Sequence, residues 1–266
     1  MSLRLKSELR LALRMRSCQV ELLPPGWNDR PAAVASGTGE GASALGAALT
    51  ALRLADVENL PTRASLTVAD EYLYHRLIDE PLGWQEALEE ATTGFMEDLG
   101  RDDLRVQVVP LNNGQRWIAA AVPEPDVVEW AEALALAGVQ LERLHSALVE
   151  DLRQLAHQIP ESGAVIALLR EEGMSLVKLD GGVPLLLGWE RFESSDSVTM
   201  EQRLRAFVRS TNHQPDHDAV VYLLPESKAL CRYVWSSSQQ TGAVQSLLQG
   251  GTPVAAAPDA HARSAR

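Results

Sequence analysis

The side chains best suited to metal chemistry in this chain lie in one short segment, residues 212–218. Here His213, His217 and Asp218 bring two imidazoles and a carboxylate close together, and both groups are ordinary zinc ligands. The segment is polar, contains Pro215 and precedes an apolar run, a pattern typical of a surface loop before a strand. We favour the loop and predict no metal, with a site at this cluster as the alternative.

The cysteines and an isolated histidine also favour structural roles. Cys18 and Cys231 both lie in strand-like apolar runs, so burial as small hydrophobic residues is expected. Two cysteines so far apart predict neither a disulfide scaffold nor a zinc centre, and they fit a reducing cytoplasm. His75 has no second His or Cys at ligand spacing. The sequence contains no Walker loop, dinucleotide fingerprint or nucleophile elbow.

The charge of the chain argues against one class of partner. The formal net charge is −12, whereas a nucleic-acid-binding surface requires a basic patch. Nine carboxylates and one cation, Arg101, lie between Asp79 and Asp103. A solvated acidic face is the favoured interpretation of this run, and a docking surface for a basic partner is the alternative.

The stretch from Ser162 to Phe192 predicts the centre of a domain. Three short apolar runs separated by Gly-containing polar turns indicate a three-stranded antiparallel meander. The turn Asp180-Gly181-Gly182 tolerates the positive φ of a tight hairpin. The first run is apolar throughout, as expected of a strand covered on both faces. We therefore expect Ile166 and Leu168 to be buried, with the third run on an adjacent strand.

The remaining pattern alternates strands and helices and predicts an α/β protein. Strands are predicted at Leu9–Arg16, Val20–Leu23, Ala64–Val68, Tyr72–Ile78, Leu104–Val109, Gln115–Val122, Val139–Leu144 and Ala219–Leu224. Helices are predicted at 43–54, 84–99, 125–137, 146–159, 200–210 and 240–249. Residues 28–42, rich in small side chains, predict a loop.

Two features bear on membrane association. A basic amphipathic helix over residues 1–16, lying on anionic lipid, is an alternative for the N-terminal segment. The strict alternation of apolar and polar residues over Leu9–Arg16 favours the strand. No run approaches the roughly 18 apolar residues that a membrane helix requires, so membrane association would depend on a partner.

Several local patterns together resemble the PilM and GspL proteins of type IV pilus and type II secretion inner-membrane platforms. One is the order of elements around the meander. Another is an Ala-Gly-hydrophobic sequence within Ala137–Leu144, which precedes a predicted helix. A third lies in residues 64–81, where a strand and a polar turn are followed by a strand that begins with an aromatic residue and then by acidic residues and a proline. The resemblance covers most of residues 9–250.

This resemblance implies an α/β, actin-like (ribonuclease H-like) two-lobed fold with mixed sheets and a degenerate nucleotide site. The implied divisions are a first lobe at 1–160 with an inserted small subdomain at about 64–122, a second lobe at 161–250, and a flexible tail at 251–266.

The first nucleotide-binding turn of active actin-like proteins carries an Asp-x-Gly sequence between two strands. The resemblance places Arg14 at the Asp and Arg16 at the Gly. Two bulky cations thus replace an anion that helps to hold Mg²⁺ and a glycine that admits phosphate. The arginines either clamp phosphate themselves or lie on an exposed strand face, and the second interpretation is favoured.

The second and third turns are altered as well. Leu169 and Glu171 stand where the resemblance places the second Asp and Gly, ahead of Ser175, and Pro225 begins the segment that replaces a Gly-Gly turn near adenine. Glu171 and its neighbour Glu172 would repel a triphosphate unless metal intervened. We therefore expect no catalytic residue, no metal and no bound cofactor.

The resemblance implies a non-catalytic cytoplasmic scaffold of a pilus or secretion assembly, held peripherally at the inner membrane. Its partners would be a bitopic inner-membrane protein of the PilN kind and a cytoplasmic assembly ATPase. PilM-like proteins hold a peptide of the membrane protein on the smaller lobe, and an open strand edge suits such a peptide. The matching surface here is expected near Leu66, Val68, Tyr72, Tyr74 and Arg76. The alternatives are an actin-like ATPase that binds nucleotide through nonstandard residues and a soluble regulatory module unrelated to pili.

Overall fold

The computed structural model describes residues 6–27, 30–55, 60–155, 159, 163–191, 197–211, 220–225 and 244–246. The chain divides into a first unit, Met1–Ala156, and a second unit, His157–Arg266. The predicted His213, His217 and Asp218 cluster, Cys231 and the tail 251–266 lie outside the described residues.

Strands and helices are numbered here in chain order. The first unit contains β1 (Glu8–Leu13), β2 (Ser17–Leu23), β3 (Ala33–Thr38), α1 (Gly41–Leu54), β4 (Arg63–Val68), β5 (Tyr74–Ile78), α2 (Trp84–Leu99), β6 (Leu104–Leu111), β7 (Arg116–Pro123), α3 (Glu124–Leu136), β8 (Gln140–Ser146) and α4 (Ala147–Leu155). The second unit contains β9 (Val165–Leu169), β10 (Gly173–Asp180), β11 (Val183–Arg191), α5 (Ser197–Thr211), β12 (Val221–Pro225) and β13 (Val244–Ser246).

The first unit is built on a mixed five-stranded sheet with the order β3-β2-β1-β4-β8. Strands β1, β2 and β3 are antiparallel, whereas β4 runs parallel to β1 and β8 parallel to β4. Leu9, Leu11 and Leu13 are buried on alternate positions of β1, because successive side chains of a strand point to opposite faces. Residues 8–13 therefore form the predicted strand and not an amphipathic helix.

Helices α1 and α3 cover the apolar face of this sheet. Leu45 and Leu49 of α1 and Trp130 and Leu134 of α3 are almost fully buried in a core shared with β1, β2 and β4. Their spacing places them on one stripe of each helix. The core is therefore formed by one sheet face and two helix stripes.

Strand β3 replaces the loop predicted at residues 28–42. It pairs with β2 over the register Ser17↔Thr38 to Leu22↔Ala33, and Gly37 lies against the backbone of α1. A Cβ atom at Gly37 would lie 2.6 Å from the carbonyl oxygen of Ala44, which is closer than van der Waals contact permits. The loop prediction was wrong because small, weakly strand-forming residues are stabilised here by a tertiary neighbour.

A smaller antiparallel sheet with the order β5-β7-β6 completes the first unit. Helix α2 covers one face of it, and Ala87, Ala91 and Phe95 are buried against Trp117 and Ala119 of β7 and their neighbours. Helix α2 ends before Gly100, which has a φ of 63°, as its position after Leu99 predicted.

The second unit contains the predicted meander within a mixed sheet of order β11-β10-β9-β12-β13. Strand β9 is the central strand, antiparallel to β10 and parallel to β12. Ile166 and Leu168 are both 0% exposed, which confirms the prediction that they are buried. The hairpin between β10 and β11 places Gly181 and Gly182 at φ values of 54° and 81°, as a tight primed turn requires.

The end of the described sheet differs from the prediction. A helix was expected over residues 240–249, but Val244–Ser246 forms β13 and pairs in parallel with Val221–Leu223 of β12. The helix prediction was wrong for these three residues because the free edge of β12 offers backbone partners, a non-local effect that overrides local propensity. In the described residues no helix has the length and apolarity to span a bilayer.

Candidate partner-binding groove

The two arginines expected at the first phosphate turn lie in the three-residue turn between β1 and β2. The backbone N–H of Arg14 donates to the Ser17 carbonyl at 2.8 Å, and the Arg16 carbonyl accepts from Gly39 N–H at 3.1 Å. The Arg14 backbone is thus bonded within the turn, and the Arg16 backbone is bonded to the segment that follows β3. Arg14 is half-buried and Arg16 is exposed.

Three of the altered nucleotide positions of the second unit lie on strands. Leu169 ends β9, is 2% exposed and stands opposite Pro225 at the end of the parallel strand β12. Ser175 is 3% exposed on β10 between Leu168 and Trp189. Ligands of open α/β sheets bind at the carboxyl ends of parallel strands. In this sheet the carboxyl ends of β9 and β12 carry the buried Leu169 and Pro225, which has no backbone N–H to donate to a phosphate.

Glu171 lies in the three-residue turn between β9 and β10. Arg170 N–H donates to the Gly173 carbonyl at 2.8 Å, and the neighbouring Glu172 forms an ion pair with Arg191 at 2.8 Å. The turn therefore presents carboxylates where a phosphate would require donors.

Thiol and metal chemistry find no support in the described part of the chain. Cys18 is buried, and this burial raises the pKa of its thiol to about 12, although Arg14 nearby opposes the shift. A thiol that stays protonated is a poor nucleophile. No group of three or more His, Cys, Asp or Glu side chains suited to a metal ion occurs among the described residues.

Two of the predicted partner-binding residues are not available to a partner. Leu66 and Val68 are 0% exposed on β4, and β4 lies between β1 and β8. An interior strand has no open edge, so the expectation of a peptide edge at these residues is corrected. Alternation predicted the strand but not its place in the sheet.

Tyr72 is also engaged within the first unit. Its hydroxyl accepts a hydrogen bond from Gly41 N–H at 3.1 Å and donates to the Met15 carbonyl at 3.3 Å. Its ring meets Trp130 edge-on with 5.5 Å between centroids. These contacts tie the start of α1 to the β1–β2 turn, so Tyr72 has a structural role.

Tyr74 and Arg76 lie on β5, which is an edge strand of the small sheet. Tyr74 is 39% exposed. The Arg76 guanidinium rests on Gly94 of α2, where a Cβ atom would overlap it, and pairs with Asp98 at 3.4 Å and Glu90 at 4.0 Å. Arg76 therefore joins β5 to α2, whereas Tyr74 remains accessible.

A second open edge belongs to β8. This strand pairs with β4 on one side and with no strand of the described residues on the other. A bulge at Glu142 places Leu141 opposite Ala64 and Leu144 opposite Leu66. The extra residue keeps both leucines on the side of the core despite their odd spacing.

A groove runs beside this edge, and we call it the β8 groove. Its walls come from β6, β7, α3, β8 and the start of α4. The apolar residues that line its α4 end include Leu73, Val109, Ile118, Ala120, Val122, Leu144 and Val149. The cavity at this end measures about 90 Å³, which suits one apolar side chain. The part of the groove beside α3 measures about 490 Å³, within the roughly 300–1,000 Å³ of pockets for drug-sized ligands.

The start of α4 is held by side chains beside the groove. Asp70, only 3% exposed, accepts a hydrogen bond from Leu148 N–H at 2.9 Å. The Ser146 hydroxyl accepts from Val149 N–H at 3.3 Å and lies 2.9 Å from His75 Nε2. Carboxylate and hydroxyl oxygens at a helix start satisfy N–H groups that have no partner in the helix. The groove wall at α4 is therefore fixed in position.

Cations line the groove although the chain as a whole is acidic. Arg105 of β6 makes a two-point ion pair with Glu124, with distances of 2.9 and 2.6 Å. At the other end, Glu150 lies 3.4 Å from both Arg153 and His145. These groups restrain one another within the wall.

Sequence reasoning missed the β8 groove because its walls are far apart in the chain. Alternation in Leu104–Val109 does place Arg105 and Gln107 on one face, and Gln140–Ser146 predicts a strand. Neither pattern tells which strands lie at sheet edges or that β6 and β8 border one groove.

Comparison with known proteins gives the fold. No protein-family model matches the sequence, and no characterised protein matches it. A Bacteroides thetaiotaomicron protein with an actin-like ATPase fold and unknown function superposes with a TM-score of 0.60 at 12% identity, over 84% of this chain and 83% of that one. A PilM-PilN type IV pilus biogenesis complex superposes with a TM-score of 0.58 at 17% identity, over 85% of this chain and 83% of that one.

The cytoplasmic domain of EpsL, an inner-membrane component of the type II secretion system of Vibrio cholerae, is less similar. It superposes with a TM-score of 0.49 at 16% identity, over 83% of this chain and 82% of that one. The first two structures suffice for the fold. The chain has an actin-like fold, as predicted.

Proposed function

We propose that this protein is a non-catalytic scaffold whose β8 groove binds the cytoplasmic tail of a bitopic inner-membrane protein in a pilus or secretion assembly. The observation that carries the proposal is the open edge of β8 beside an apolar groove with a cavity of about 90 Å³. An open strand edge beside an apolar cavity suits a short extended segment, which can pair with the edge and place one side chain in the cavity.

An extended tail would bind by adding a strand to β8. Backbone hydrogen bonds along an added strand provide affinity, and pockets for alternate side chains provide selectivity. Strand β8 has seven residues, which is about 20 Å of extended chain. One apolar side chain of the tail would fill the cavity next to Leu144 and Val149.

The membrane origin of the tail is proposed from the fold comparison. A structure with the same fold is a complex of PilM with PilN in type IV pilus biogenesis. By analogy, this chain would act on the cytoplasmic side, peripherally at the inner membrane through its partner, with a cytoplasmic assembly ATPase as a further partner. Fold analogy alone does not assign function, so the groove has to be tested directly.

Filling the cavity is expected to abolish partner binding. Ala120 is a half-buried cavity residue of β7, and Ala120→Phe would occupy the space that the anchor side chain needs. Ala51→Phe, at a half-buried alanine of α1 away from the groove lining, is the matched control. Detergent-solubilised membranes are passed over each variant, with a photo-crosslinker at Gln107 to mark groove contacts.

Wild type and Ala51→Phe are expected to recover and crosslink one single-span protein through its cytoplasmic tail. Ala120→Phe is expected to lose most of it: with the bait well below the Kd, a tenfold weaker complex recovers only about 10% as much partner. Equal recovery by Ala120→Phe would show that the groove is not the site. Recovery of soluble enzymes alone would contradict the scaffold proposal.

The protein is also expected not to bind ATP. Phosphoryl transfer depends on positioned donors and metal, and this chain has Arg14 and Arg16 at one expected turn and Leu169 with Glu171 at another. Titration calorimetry with millimolar ATP and Mg²⁺ should give no saturable heat. A ligand at 100 times its Kd would stabilise the native state by about 2.7 kcal/mol, so an unchanged melting temperature is an independent check.

A saturable heat that disappears in Arg14→Ala or Ser175→Ala would support the alternative of an ATPase with nonstandard nucleotide contacts. Lys178→Ala, at a half-buried position of β10 that corresponds to none of the expected nucleotide contacts, serves as the control for general effects of substitution.

A further inference from the structure

We infer that the β8 groove selects a segment in which a carboxylate stands next to an apolar anchor, and that Arg143 is the residue that recognises the carboxylate. This inference rests on the proposed function of the groove and specifies the chemistry of its ligand.

Two of the three arginines that line the groove are already paired with carboxylates. Arg105 is held by Glu124, and Arg153 by Glu150. Arg143 lines the groove, is exposed on β8, and forms no ion pair within the described ranges of the chain. It is therefore the groove guanidinium whose donors are available to a ligand without breaking an internal pair.

The backbone geometry determines where the carboxylate has to stand. Arg143 is opposite Ser65, and the next residue, Leu144, is opposite Leu66. Successive side chains of a strand point to opposite faces, so Arg143 and Leu144 present a cation on one face and an apolar group on the other. A peptide strand paired with β8 would therefore place an acidic residue beside Arg143 and, at the adjacent position, an apolar residue beside Leu144.

Arginine suits this role because its planar guanidinium binds a carboxylate through two parallel hydrogen bonds. An ion pair in open solvent contributes little, but a pair partly removed from water at an interface contributes more. We expect Arg143→Gln to weaken a selected acidic peptide by about 5- to 20-fold.

A displayed library of random peptides long enough to span β8 provides the probe. The library is selected against the wild type, Arg143→Glu, the cavity-filled Ala120→Phe, and Arg10→Glu. Arg10 is exposed on β1 and does not line the groove, so its charge reversal controls for the change in net charge. Synthetic copies of enriched peptides are then titrated at low and high salt.

Wild type and Arg10→Glu should enrich peptides with Asp or Glu adjacent to a large apolar residue, and Arg143→Glu should enrich Lys or Arg at the same place. The affinity of acidic peptides should fall with salt for the wild type and lose that dependence in Arg143→Gln. A third outcome is that the wild type enriches peptides that Ala120→Phe does not enrich, but these peptides show no preference for Asp or Glu. That outcome would overturn the inference about Arg143 and leave the proposed function of the groove standing. If Ala120→Phe enriches the same peptides as the wild type, the groove itself is not the site and both proposals fail.

Discussion

Gly37→Ala is expected to lower the free energy of unfolding of the first unit by about 3 kcal/mol or more. A Cβ atom there would lie 2.6 Å from the Ala44 carbonyl oxygen and 2.7 Å from the Ala47 carbonyl carbon. Both are backbone atoms of α1, so relief requires β3 and α1 to move apart and not merely a side chain to rotate. Separation of α1 from the sheet would open the core around Leu45 and Leu49.

Gly46→Ala is the matched control. Gly46 lies within α1, and apart from its chain neighbours and the nearby backbone of α1 itself no atom of the described residues lies within 4 Å of a Cβ built on it. Alanine at an open helix position stabilises by about 0.5–1 kcal/mol relative to glycine, so the two substitutions should have opposite signs. Urea denaturation monitored by hydrogen exchange in peptides of the first unit would measure both. A Gly37→Ala variant as stable as the wild type would show that β3 does not pack on α1 as described.

Gly37 also shows where sequence reasoning about the fold reached its limit. The meander was predictable because its signals are local: a continuous apolar run at Val165–Leu169 and two glycines at a tight turn. Strand β3 carries no such signal. Its small residues form a strand because β2 offers a free edge and α1 approaches closely at Gly37, and both neighbours are tertiary.

The same limit explains the outcome for the candidate site. Alternation predicts which face of a strand is apolar, so Leu66 and Val68 were correctly placed on a strand. Whether that strand is interior or at an edge depends on the order β3-β2-β1-β4-β8, which no local pattern contains. Strand β8 lies at one edge of that sheet, and its groove is completed by residues of β6 and α4.

Arg76 illustrates a related difficulty with charged residues. On β5 it was a plausible partner contact, yet the absence of a side chain at Gly94 allows its guanidinium to reach Asp98 and Glu90 on α2. The sequence alone does not show whether a given arginine forms an ion pair within the protein. Arg143, which lacks one in the described ranges, was not distinguished from it by sequence alone.

Leu168→Ala is expected to lower the free energy of unfolding of the second unit by about 2–5 kcal/mol. Leu168 is 0% exposed on the central strand β9, between Ser175 of β10 and Leu224 of β12. Removing its side chain leaves a cavity that a strand paired on both sides cannot close, because the hydrogen-bonded neighbours fix the backbone. The lost burial and the cavity therefore both contribute to the expected effect.

The control is the same substitution at the sheet edge. Leu186 lies on β11 and is 42% exposed, so Leu186→Ala should cost less than about 1 kcal/mol. Denaturation followed by hydrogen exchange separates the units, and only peptides of the second unit should lose protection in Leu168→Ala. Comparable losses for the two variants would mean that β9 is not the centre of this sheet. That result would also weaken the actin-like assignment, because a central, doubly covered β9 is what joins the meander to the parallel strand β12.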